Sequence, residues 1–487
     1  MLRRSLQAPL LPCANCSDCC AGLKQRAMTV LKQPRSLRLR NVLTVTLALL
    51  SVLSCYYAFT ACKPKPEGQL ALGGEGPLVR QEGGIYVWDP AAELPGLPPC
   101  DQQDPTSLAP VVKQLVLRRF PKLAECHEEY QYAAAWYLER ALLRAHGQLA
   151  HSVDSADIVL VASSCYYEAA FWSRLFSKFP ADELARLKQE AGLWAEPEAV
   201  MSSILDTVPA LIPPEKVALF FPAPYNTGCK GTHEWMARAL TLAGEKQASC
   251  GPAERTVVVP FNGNSPDVPP EVSFDNRTIL ATYIGGGDGA EHRSAGQRLR
   301  YHVTQSLAGE SDAFMQGTCQ GCAGQLSHRD AMRVYQSSTF CLVLAGDAPS
   351  SRRATEVVLH GCLPVYLGPP YNSAPYGSVL DYSKFSLVVH VNDTSGWVAT
   401  PTHRRQAERW TSEAGPPTHT IADMSQLLPA LRSISKERVW EMQAALQRVR
   451  RAFLWKTVLS PEAPAAADIV LRLMLPSYQM DAAALTL

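Results

Sequence analysis

Two short apolar runs flank one amphipathic stretch in the second half of the chain. Residues 340–344 and 363–367 have the length and apolar character that are typical of buried strands. Between them, Ser350 or Ser351 can cap the start of a helix that reaches His360, because a serine side chain accepts hydrogen bonds from first-turn amides. The pattern predicts a strand–loop–helix–strand unit, the repeat of a parallel sheet covered by helices.

The loop before the predicted helix has the composition of an anion site. Ligands of parallel sheets collect at the carboxyl ends of strands, beside helix N-termini. There, the loop 346–351 is followed at once by Arg352 and Arg353, and Glu356 lies one turn further on, where it can accept hydrogen bonds from ribose hydroxyls. Gly361 can end the helix in a left-handed conformation. Spacing alone leaves an alternative open, because Arg352 and Glu356 are four residues apart, as in a solvated surface pair.

Similar patterns recur along the chain and predict an α/β fold. Apolar runs typical of strands end at turn or loop residues, and stretches with helical periodicity lie between some of these runs. The predicted strands lie at 83–90, 153–162, 256–261 and 277–284, and the predicted helices at 130–146, 437–455 and 461–475.

The predicted strand at 277–284 runs into a glycine-rich loop that begins at Gly285. Glycines after a strand let backbone amides approach a phosphate closely. This loop comes one strand–helix unit before residue 340, so it can form the other wall of a diphosphate site. Arg293 is the arginine that we expect to face the phosphates, although Arg298 and Arg300 lie close by.

Length and composition are those of a folded protein, except that the N-terminal 40 residues are strongly basic. The chain has 487 residues, 47% hydrophobic and 19% charged, which allows roughly two or three domains. Its net charge is only +1, yet residues 1–40 hold eight Lys or Arg and a single acid, Asp18. The remainder is acidic on balance, so no nucleic-acid-binding surface is expected.

An uncharged stretch over residues 41–60 is long enough to span a bilayer, which takes about 20 residues. Arginines flank its near end and aromatic residues its far end, so the positive-inside rule keeps the N-terminus cytosolic. A cleaved secretory signal is the alternative, but the stretch is longer than a typical signal core and starts far into the chain. We therefore predict a cytosolic tail at 1–40, a transmembrane signal-anchor at 41–61 and a Pro- and Gly-rich stem at 62–82.

The tail carries a cysteine cluster whose role the residues leave open. A zinc site, S-acylation and unmodified thiols are all compatible with its spacing. The cluster consists of Cys13, Cys16, Cys19 and Cys20.

The region around residue 340 resembles the exostosin family, glycosyltransferase family 47. Members show a Phe-Cys-Leu strand, a Gly-Asp-x-Pro-Ser-Ser loop, Arg with an acid three residues later, and Gly-Cys-x-Pro-Val. The matching residues here are Phe340 to Leu342, Gly346 to Ser351, Arg353 with Glu356, and Gly361 to Val365. Residues 380–387 resemble the family's Leu-Asp-Trp-x-x-Phe-Ser segment, with Tyr382 in place of Trp.

The resemblance implies two Rossmann-like domains facing a cleft, the GT-B arrangement. The acceptor-side domain is expected at 83–262 and the nucleotide-sugar-binding domain at 263–475, followed by a tail at 476–487. The Pro- and Gly-rich connection at 262–275 is the best boundary between them. A tail, anchor, stem and lumenal domain is also the plan of Golgi type II membrane glycosyltransferases.

The implied activity is inverting transfer of a sugar from a nucleotide-sugar donor to a glycan, polysaccharide or glycoprotein acceptor. No Asp-x-Asp occurs in the chain, so we expect neither a metal nor another cofactor, and arginines with helix N-terminal amides must stabilise the departing diphosphate. The donor-binding candidates are Gly285, Arg293, Gly346, Ser350, Ser351, Arg352, Arg353 and Glu356.

One carboxylate or imidazole must take the proton of the acceptor hydroxyl. The candidates are His233, Glu234 and Asp89. His233 takes the histidine position of the family's Tyr-Trp-Asn-Arg-x-x-Gly-x-Asp-His-Phe segment, but Thr232 replaces its Asp. Because neighbouring residues differ too, His233 can equally be a helix-start residue that packs against the domain interface.

A lumenal location predicts further modifications. Asn276 and Asn392 are N-glycosylation acceptors on the lumenal side, whereas the sequon at Asn15 is cytosolic. Several lumenal cysteines should be paired, although Cys341 or Cys362 can each be a free core thiol.

The expected partners are the donor, the acceptor and one membrane, and the chain is compatible with a homo- or hetero-oligomer. A catalytically inactive lumenal carbohydrate-binding or scaffold protein with the same fold is the alternative function. The differences from the family in residues 225–235 keep that alternative open.

Overall fold

The computed structural model describes thirteen main segments of the chain and a few single residues between them. The predicted tail, anchor and stem lie outside the described residues, all of which belong to one unit, Val79–Leu487. Within this described part, no helix is long and apolar enough to cross a bilayer. The segments are 84–94, 134–144, 150–164, 197–221, 233–244, 255–263, 272–285, 294–317, 326–345, 350–368, 373–405, 416–455 and 466–475.

The first sheet has five parallel strands in the order β1-β2-β3-β4-β5. Its strands are β1 (Ile85–Trp88), β2 (Ile158–Val161), β3 (Val217–Phe221), β4 (Leu240–Ala243) and β5 (Thr256–Val258). The helices along this part of the chain are α1 (Pro90–Glu93), α2 (Ala134–Arg144) and α3 (Pro197–Leu211). The strands predicted at 83–90, 153–162 and 256–261 and the helix predicted at 130–146 are therefore confirmed.

Helices cover both faces of the first sheet. Side chains alternate between the faces of a strand, so neighbouring residues of β3 belong to two different apolar clusters. Phe220 packs in the cluster that contains Leu138 of α2, whereas Leu219 packs in the cluster that contains Val208 of α3. Burial on both faces explains why β3 is apolar at every position.

The second sheet has six parallel strands in the order β11-β10-β9-β8-β6-β7. Its strands are β6 (Ile279–Tyr283), β7 (Ala313–Met315), β8 (Ser338–Leu344), β9 (Leu363–Leu367), β10 (Leu387–Val391) and β11 (His419–Ile421). The helices of this half are α4 (Ala295–Leu307), α5 (His328–Ser337), α6 (Arg352–Leu359), α7 (Leu427–Arg432), α8 (Lys436–Val449) and α9 (Ala466–Met474). The order places β8 in the interior, where it is buried at every position.

The predicted strand–loop–helix–strand unit is β8, α6 and β9. Ser351 is the N-cap of α6, and His360 is its C-cap. Gly361 follows with φ of 69°, a left-handed conformation that glycine adopts without steric cost. The local pattern therefore gave the bounds of this unit to within two residues.

Cys341 of β8 and Cys362, just before β9, form a disulfide with Cα atoms 5.8 Å apart. Both residues are fully buried. The expectation that either is a free core thiol was wrong, because Cys341 pairs with Pro364 in the ladder and Cys362 lies only two residues from that position. The bridge closes a loop that contains the whole of α6.

Buried arginines bind the carbonyls that helix ends leave without intrahelical partners. Arg277 donates to the carbonyls of Tyr335 and Ser338 at the end of α5. Arg450 donates to the carbonyl of Leu359 at the end of α6. A cation at a helix C-terminus is also favourable to the helix dipole. Arg277 therefore holds α5 to the residues before β6, and Arg450 holds α6 to the end of α8.

The last described helix returns to the first sheet. α9 packs against α2. Trp455 donates to the carbonyl of Pro260 at 2.9 Å and contacts Phe220 of β3, with ring centroids 6.0 Å apart. Tyr376, at φ of 58°, donates its amide to Val258 at the end of β5. The connection between the two sheets is thus held by segments from the C-terminal half. The proposed domain boundaries stay predictions.

Candidate functional site

The carboxyl edge of the second sheet brings together the ends of β6, β8 and β9. α6 begins close to this edge, because its first residue follows the β8 loop directly. Ser351 is its N-cap in an extended conformation, and its hydroxyl makes no capping hydrogen bond to the helix. The N-terminus of α6 also presents the positive end of the helix dipole at this edge, which favours a negatively charged ligand.

Arg352 and Glu356 form an ion pair on α6, with Nε and Oε1 3.0 Å apart. The Glu356 side chain is only 8% exposed and that of Arg352 is 23% exposed. A solvated surface pair would leave both groups in water, so the surface-pair alternative does not describe this geometry. A buried carboxylate held by a neighbouring arginine has a fixed orientation, which suits it to accept hydrogen bonds from a ligand.

Arg353 points from α6 towards the end of β6. Its Nε donates to the carbonyl of Ile284, and its Cζ lies 5.1 Å from the ring centroid of Tyr283. Gly285 follows directly, and a Cβ atom there would collide with the Arg353 guanidinium and lie 2.6 Å from the Tyr283 hydroxyl. The absence of a side chain at Gly285 therefore lets Arg353 cross the end of the strand.

A buried phenol lies behind these charges. Tyr335 of α5 is almost fully buried. Burial raises its pKa, and the Glu356 carboxylate raises it further, whereas the Arg353 guanidinium opposes the shift. The Tyr335 hydroxyl therefore keeps its proton at any physiological pH.

The structure gathers six of the eight donor-binding candidates at this edge. Arg293 and Gly346 lie outside the described residues. The six described candidates occupy the end of β6, the residues before α6 and the first turns of α6, and their binding roles stay predictions. They are Gly285, Ser350, Ser351, Arg352, Arg353 and Glu356.

Asp89 lies at the carboxyl end of the first sheet. It directly follows β1 and caps α1, where its Oδ1 accepts a hydrogen bond from the amide of Ala91 at 2.9 Å. The residue is exposed. An exposed carboxylate at this edge of a parallel sheet is placed where ligands are expected.

Glu139 of α2 reaches the same edge, although no sequence pattern predicted it. Its carboxylate accepts a hydrogen bond from the amide of Ser164 at 3.1 Å and another from the Ser164 hydroxyl at 2.5 Å. Burial raises the pKa of Glu139 to about 7, against the lowering effect of the Ser164 hydrogen bonds, and the negative charge of Asp89 adds to the rise. A single glutamate in an amphipathic helix does not reveal, from the sequence alone, that its side chain contacts a residue beyond the end of a strand elsewhere in the chain.

His233 and Glu234 lie apart from Asp89. His233 precedes a 3₁₀ turn, Glu234–Ala237, that leads into the amino end of β4. Its side chain is 7% exposed, and Nδ1 lies 3.5 Å from Oδ1 of Asp206 on α3. Glu234 is exposed. His233 thus packs beside a helix at the start of a turn, and the catalytic assignments of His233, Glu234 and Asp89 stay predictions.

A cavity of about 260 Å³ opens near the start of β10 and β11, at the amino edge of the second sheet, whereas α6 begins at the carboxyl edge. Three of its hydroxyls donate to the protein's own backbone: Ser386 to Tyr382, Thr418 to Val388 and Ser433 to Ala430. We therefore do not include it in the donor site. Among the described residues, no group of His, Cys, Asp and Glu is arranged to hold a metal ion.

Two parallel sheets covered by helices define an α/β protein, and an arginine-bearing helix begins at the carboxyl edge of the second sheet. Residues 228–402 match the Exostosin GT47 domain. The predicted resemblance is confirmed, and the match runs from before β4 of the first sheet to beyond β10 of the second.

Two curated relatives from Arabidopsis thaliana match parts of the chain. "Probable arabinosyltransferase ARAD1" is 24% identical over 210 residues, which are 43% of this chain and 39% of the relative. "Probable xyloglucan galactosyltransferase GT12" is 34% identical over 64 residues, which are 13% of each chain. The chain therefore matches less than half the length of either relative.

Solved structures resemble the chain only distantly. The glycotransferase of kitacinnamycin is 14% identical, with 80% of this chain and 91% of that chain covered and a TM-score of 0.23. CalG4, the calicheamicin glycosyltransferase, is 13% identical, with 82% and 100% covered and the same TM-score of 0.23.

Proposed function

We propose that this protein is an inverting glycosyltransferase that moves a pentose or hexose from a nucleotide-sugar donor to a glycan, polysaccharide or glycoprotein acceptor. One observation carries the proposal: the Exostosin GT47 match covers the part of the second sheet whose carboxyl edge bears charged side chains. The matched region contains the strand–helix–strand unit that presents Arg352, Arg353 and Glu356.

The departing diphosphate is the group that most needs stabilisation. Charge develops on it as the bond to the sugar breaks, and preorganised cations and amides aimed at that charge lower the barrier. Arg352, Arg353 and the first-turn amides of α6 are such groups, and in this proposal they act without a metal. Glu356, fixed by Arg352, accepts hydrogen bonds from ribose or sugar hydroxyls.

The proposed architecture is GT-B, with the donor on the second sheet and the acceptor on the first. Both sheets are wholly parallel, and segments of the C-terminal half hold the connection between them. Two such sheets facing a cleft hold two substrates in line for a single displacement, which is the geometry that inversion requires.

We place the protein in the Golgi membrane as a single-pass type II protein with its catalytic domain in the lumen. The support is the basic tail and uncharged stretch of the sequence and the buried Cys341–Cys362 disulfide. Disulfides persist in oxidising compartments, so a disulfide in the core of the donor half is consistent with folding in the secretory pathway.

The testing experiment incubates the purified protein with a panel of nucleotide sugars, including pentose and hexose donors, and oligosaccharide acceptors. We expect one donor to be hydrolysed slowly alone and transferred when the acceptor is added, with inverted anomeric configuration in the product by NMR. Glycan binding without nucleotide binding or donor hydrolysis would overturn the proposal in favour of the carbohydrate-binding or scaffold alternative. Product of retained configuration would overturn the inverting mechanism alone.

A further inference from the structure

One buried tyrosine lies where the two sheets are joined. Tyr376 belongs to the described loop 373–380, which follows β9 in the chain, and it is fully buried. Its amide donates to the carbonyl of Val258 at 2.7 Å. Val258 is the last residue of β5, so this hydrogen bond joins the loop after β9 to the carboxyl end of a strand in the first sheet.

The side chain of Tyr376 contacts the segment that returns to the first sheet. Its hydroxyl donates to the carbonyl of Ala466, the first residue of α9, at 3.3 Å. Its ring meets that of Phe453 edge-on, with centroids 6.0 Å apart. Because α9 packs against α2, a helix that covers the first sheet, Tyr376 is linked to the first sheet twice, through the end of β5 and through α9.

The backbone of Tyr376 is strained. Its φ of 58° is left-handed, and no other non-glycine residue in the described part of the chain has a positive φ. In this conformation the Cβ atom of an L-residue crowds the backbone, so a bulky aromatic residue is rarely found there. Such a conformation persists where the surrounding contacts determine it. The contacts with β5, Phe453 and α9 therefore hold the loop in a shape that tyrosine itself disfavours.

The crossing between the sheets also runs against the helix that bears the donor-binding candidates. A Cβ atom at Gly263 would lie 2.8 Å from Cδ1 of Leu359 and 3.4 Å from Cγ2 of Thr355, both on α6. The backbone of the crossing therefore approaches α6 more closely than a side chain would allow. The segment 258–263 is thus held by Tyr376 at its start and by α6 at its end.

We propose, on the basis of the glycosyl transfer proposed above, that Tyr376 is the positioning residue that aligns an acceptor on the first sheet with a donor on the second. In-line transfer needs the acceptor oxygen close to the anomeric carbon, and a misplacement of about 1 Å can cost about 10²-fold in rate. Each substrate contacts its own sheet, so the distance between the substrates depends on how the sheets are joined. Tyr376 touches neither substrate and acts through the end of β5 and through α9.

This role separates two reactions of the same donor. Hydrolysis of the donor by water needs only the donor site on the second sheet, whereas transfer needs both sheets in their native arrangement. Loss of the Tyr376 ring should therefore lower the rate of transfer and leave donor binding and donor hydrolysis as they are. A residue that serves stability alone would lower all three together, because unfolded protein does none of them.

The test measures donor Kd, the rate of donor hydrolysis, and kcat and KM for transfer, in the full chain and three variants. Tyr376→Leu removes the ring and should lose roughly 10²-fold in kcat for transfer, with donor Kd and hydrolysis unchanged. Tyr376→Phe keeps the ring and the amide, so its transfer should stay near that of the wild type. Leu431→Ala, at a buried position of α7, is the matched control: it should lower the melting temperature without changing the ratio of transfer to hydrolysis.

Tyr376→Gly serves as a second variant if Tyr376→Leu does not fold, since glycine adopts this φ without steric cost. Hydrogen exchange of the segment 256–263 gives a measurement that needs no substrate, and it should be faster in Tyr376→Leu or Tyr376→Gly than in the wild type or Tyr376→Phe. Unchanged exchange in both ring-deleted variants, or equal losses of transfer and hydrolysis, would overturn the positioning role and leave the proposed function standing. No transfer by the wild type with any donor would overturn both.

Discussion

Arg353 illustrates how a single side chain can organise a site and serve in it. Its guanidinium spans from α6 to the end of β6, where it binds the carbonyl of Ile284 and lies over the ring of Tyr283. A Cβ atom at Gly285 would overlap that guanidinium, so a larger residue there would displace Arg353 from this position. Arg353 therefore links the predicted helix to Gly285, the residue at which the predicted glycine loop begins.

Arg353→Ala should abolish most of the activity. The variant loses a cation at the departing diphosphate and the contact that fixes the end of β6, and removal of one such group typically costs on the order of 10²–10³ in rate. Glu356→Gln keeps the shape of the side chain but loses its charge, so donor affinity should fall while the fold survives. Steady-state kinetics and thermal melting on the same samples measure both effects.

The control for these variants is Arg333→Ala. Arg333 is 65% exposed and pairs with Asp330 on the surface of α5, so its loss should change stability by less than about 1 kcal/mol and leave turnover alone. Near-normal turnover in Arg353→Ala would contradict the placement of the donor site at α6.

Glu139 should make stability depend on pH in a way that requires no substrate. Its pKa rises from 4.5 to about 7 on folding, so the native state holds a proton that the unfolded chain releases between those values. This contribution to stability is fully present below pH 4.5 and is lost as the pH rises through about 7. The shift corresponds to about 3 kcal/mol at most.

Melting temperatures of the wild type and Glu139→Gln between pH 5 and 8 measure this effect. The difference between them should move in favour of the variant as the pH rises, because glutamine has no charge to bury. A difference that is constant over this range would show that the carboxyl group does not titrate there.

At the scale of single elements, α6 is held at its C-terminal end by two contacts. Arg450 binds its last carbonyl, and the Cys341–Cys362 disulfide joins the strand before it to the residue before the next strand. The helix that carries the donor-binding candidates is therefore fixed to the sheet independently of any ligand.

Replacing both cysteines, Cys341→Ala with Cys362→Ala, should destabilise the protein by about 3 kcal/mol, because the bridge closes a loop of 21 residues. Thermal melting with and without reductant measures the loss. Reductant should lower the melting temperature of the wild type towards that of the double variant and leave the double variant unchanged. Thiol labelling of both residues in the unreduced, denatured wild type would contradict the pairing.

Sequence patterns predicted the elements whose signals are local. β8, α6 and β9 were found because an apolar run, a capping serine and a terminal glycine lie within 28 residues of one another. β3 and β4 went unpredicted, although β3 is uniformly apolar, because a short apolar run fits a strand or a buried helix equally well. α3 contains Pro209, which weakens a helical pattern.

The sequence predicted only those parts of the candidate site whose residues are neighbours along the chain. Arg352 and Glu356 are neighbours on one helix, so their pairing follows from spacing. Glu139 and Ser164 meet only because α2 packs on the sheet, and the partner of His233, Asp206, lies on a separate helix. Side chains that come together through tertiary packing leave no periodic signal.

For the whole molecule, the proposed topology predicts where glycans are found. Asn276 ends an exposed 3₁₀ turn before β6, and Asn392 is exposed just after β10. Both side chains are accessible to a transferase in the lumen, whereas Asn15 lies in the predicted cytosolic tail.

Glycosidase digestion of protein from a eukaryotic host should increase its mobility, and Asn276→Gln with Asn392→Gln should remove the effect. Mass mapping should find glycan on one or both of these residues and none on Asn15. Glycan on Asn15, or the full chain in a soluble fraction, would contradict the type II topology.

The return of α9 to α2 has a consequence for the order in which the protein is made. Ile469 and Val470 of α9 share an apolar cluster with Leu138 and Leu142 of α2. A ribosome adds roughly 5–20 residues per second, so α2 emerges tens of seconds before the helix that covers it. During synthesis, the apolar face of α2 cannot be covered by its native partner until α9 has been made. The core of the N-terminal half is therefore completed only after α9 has been synthesised.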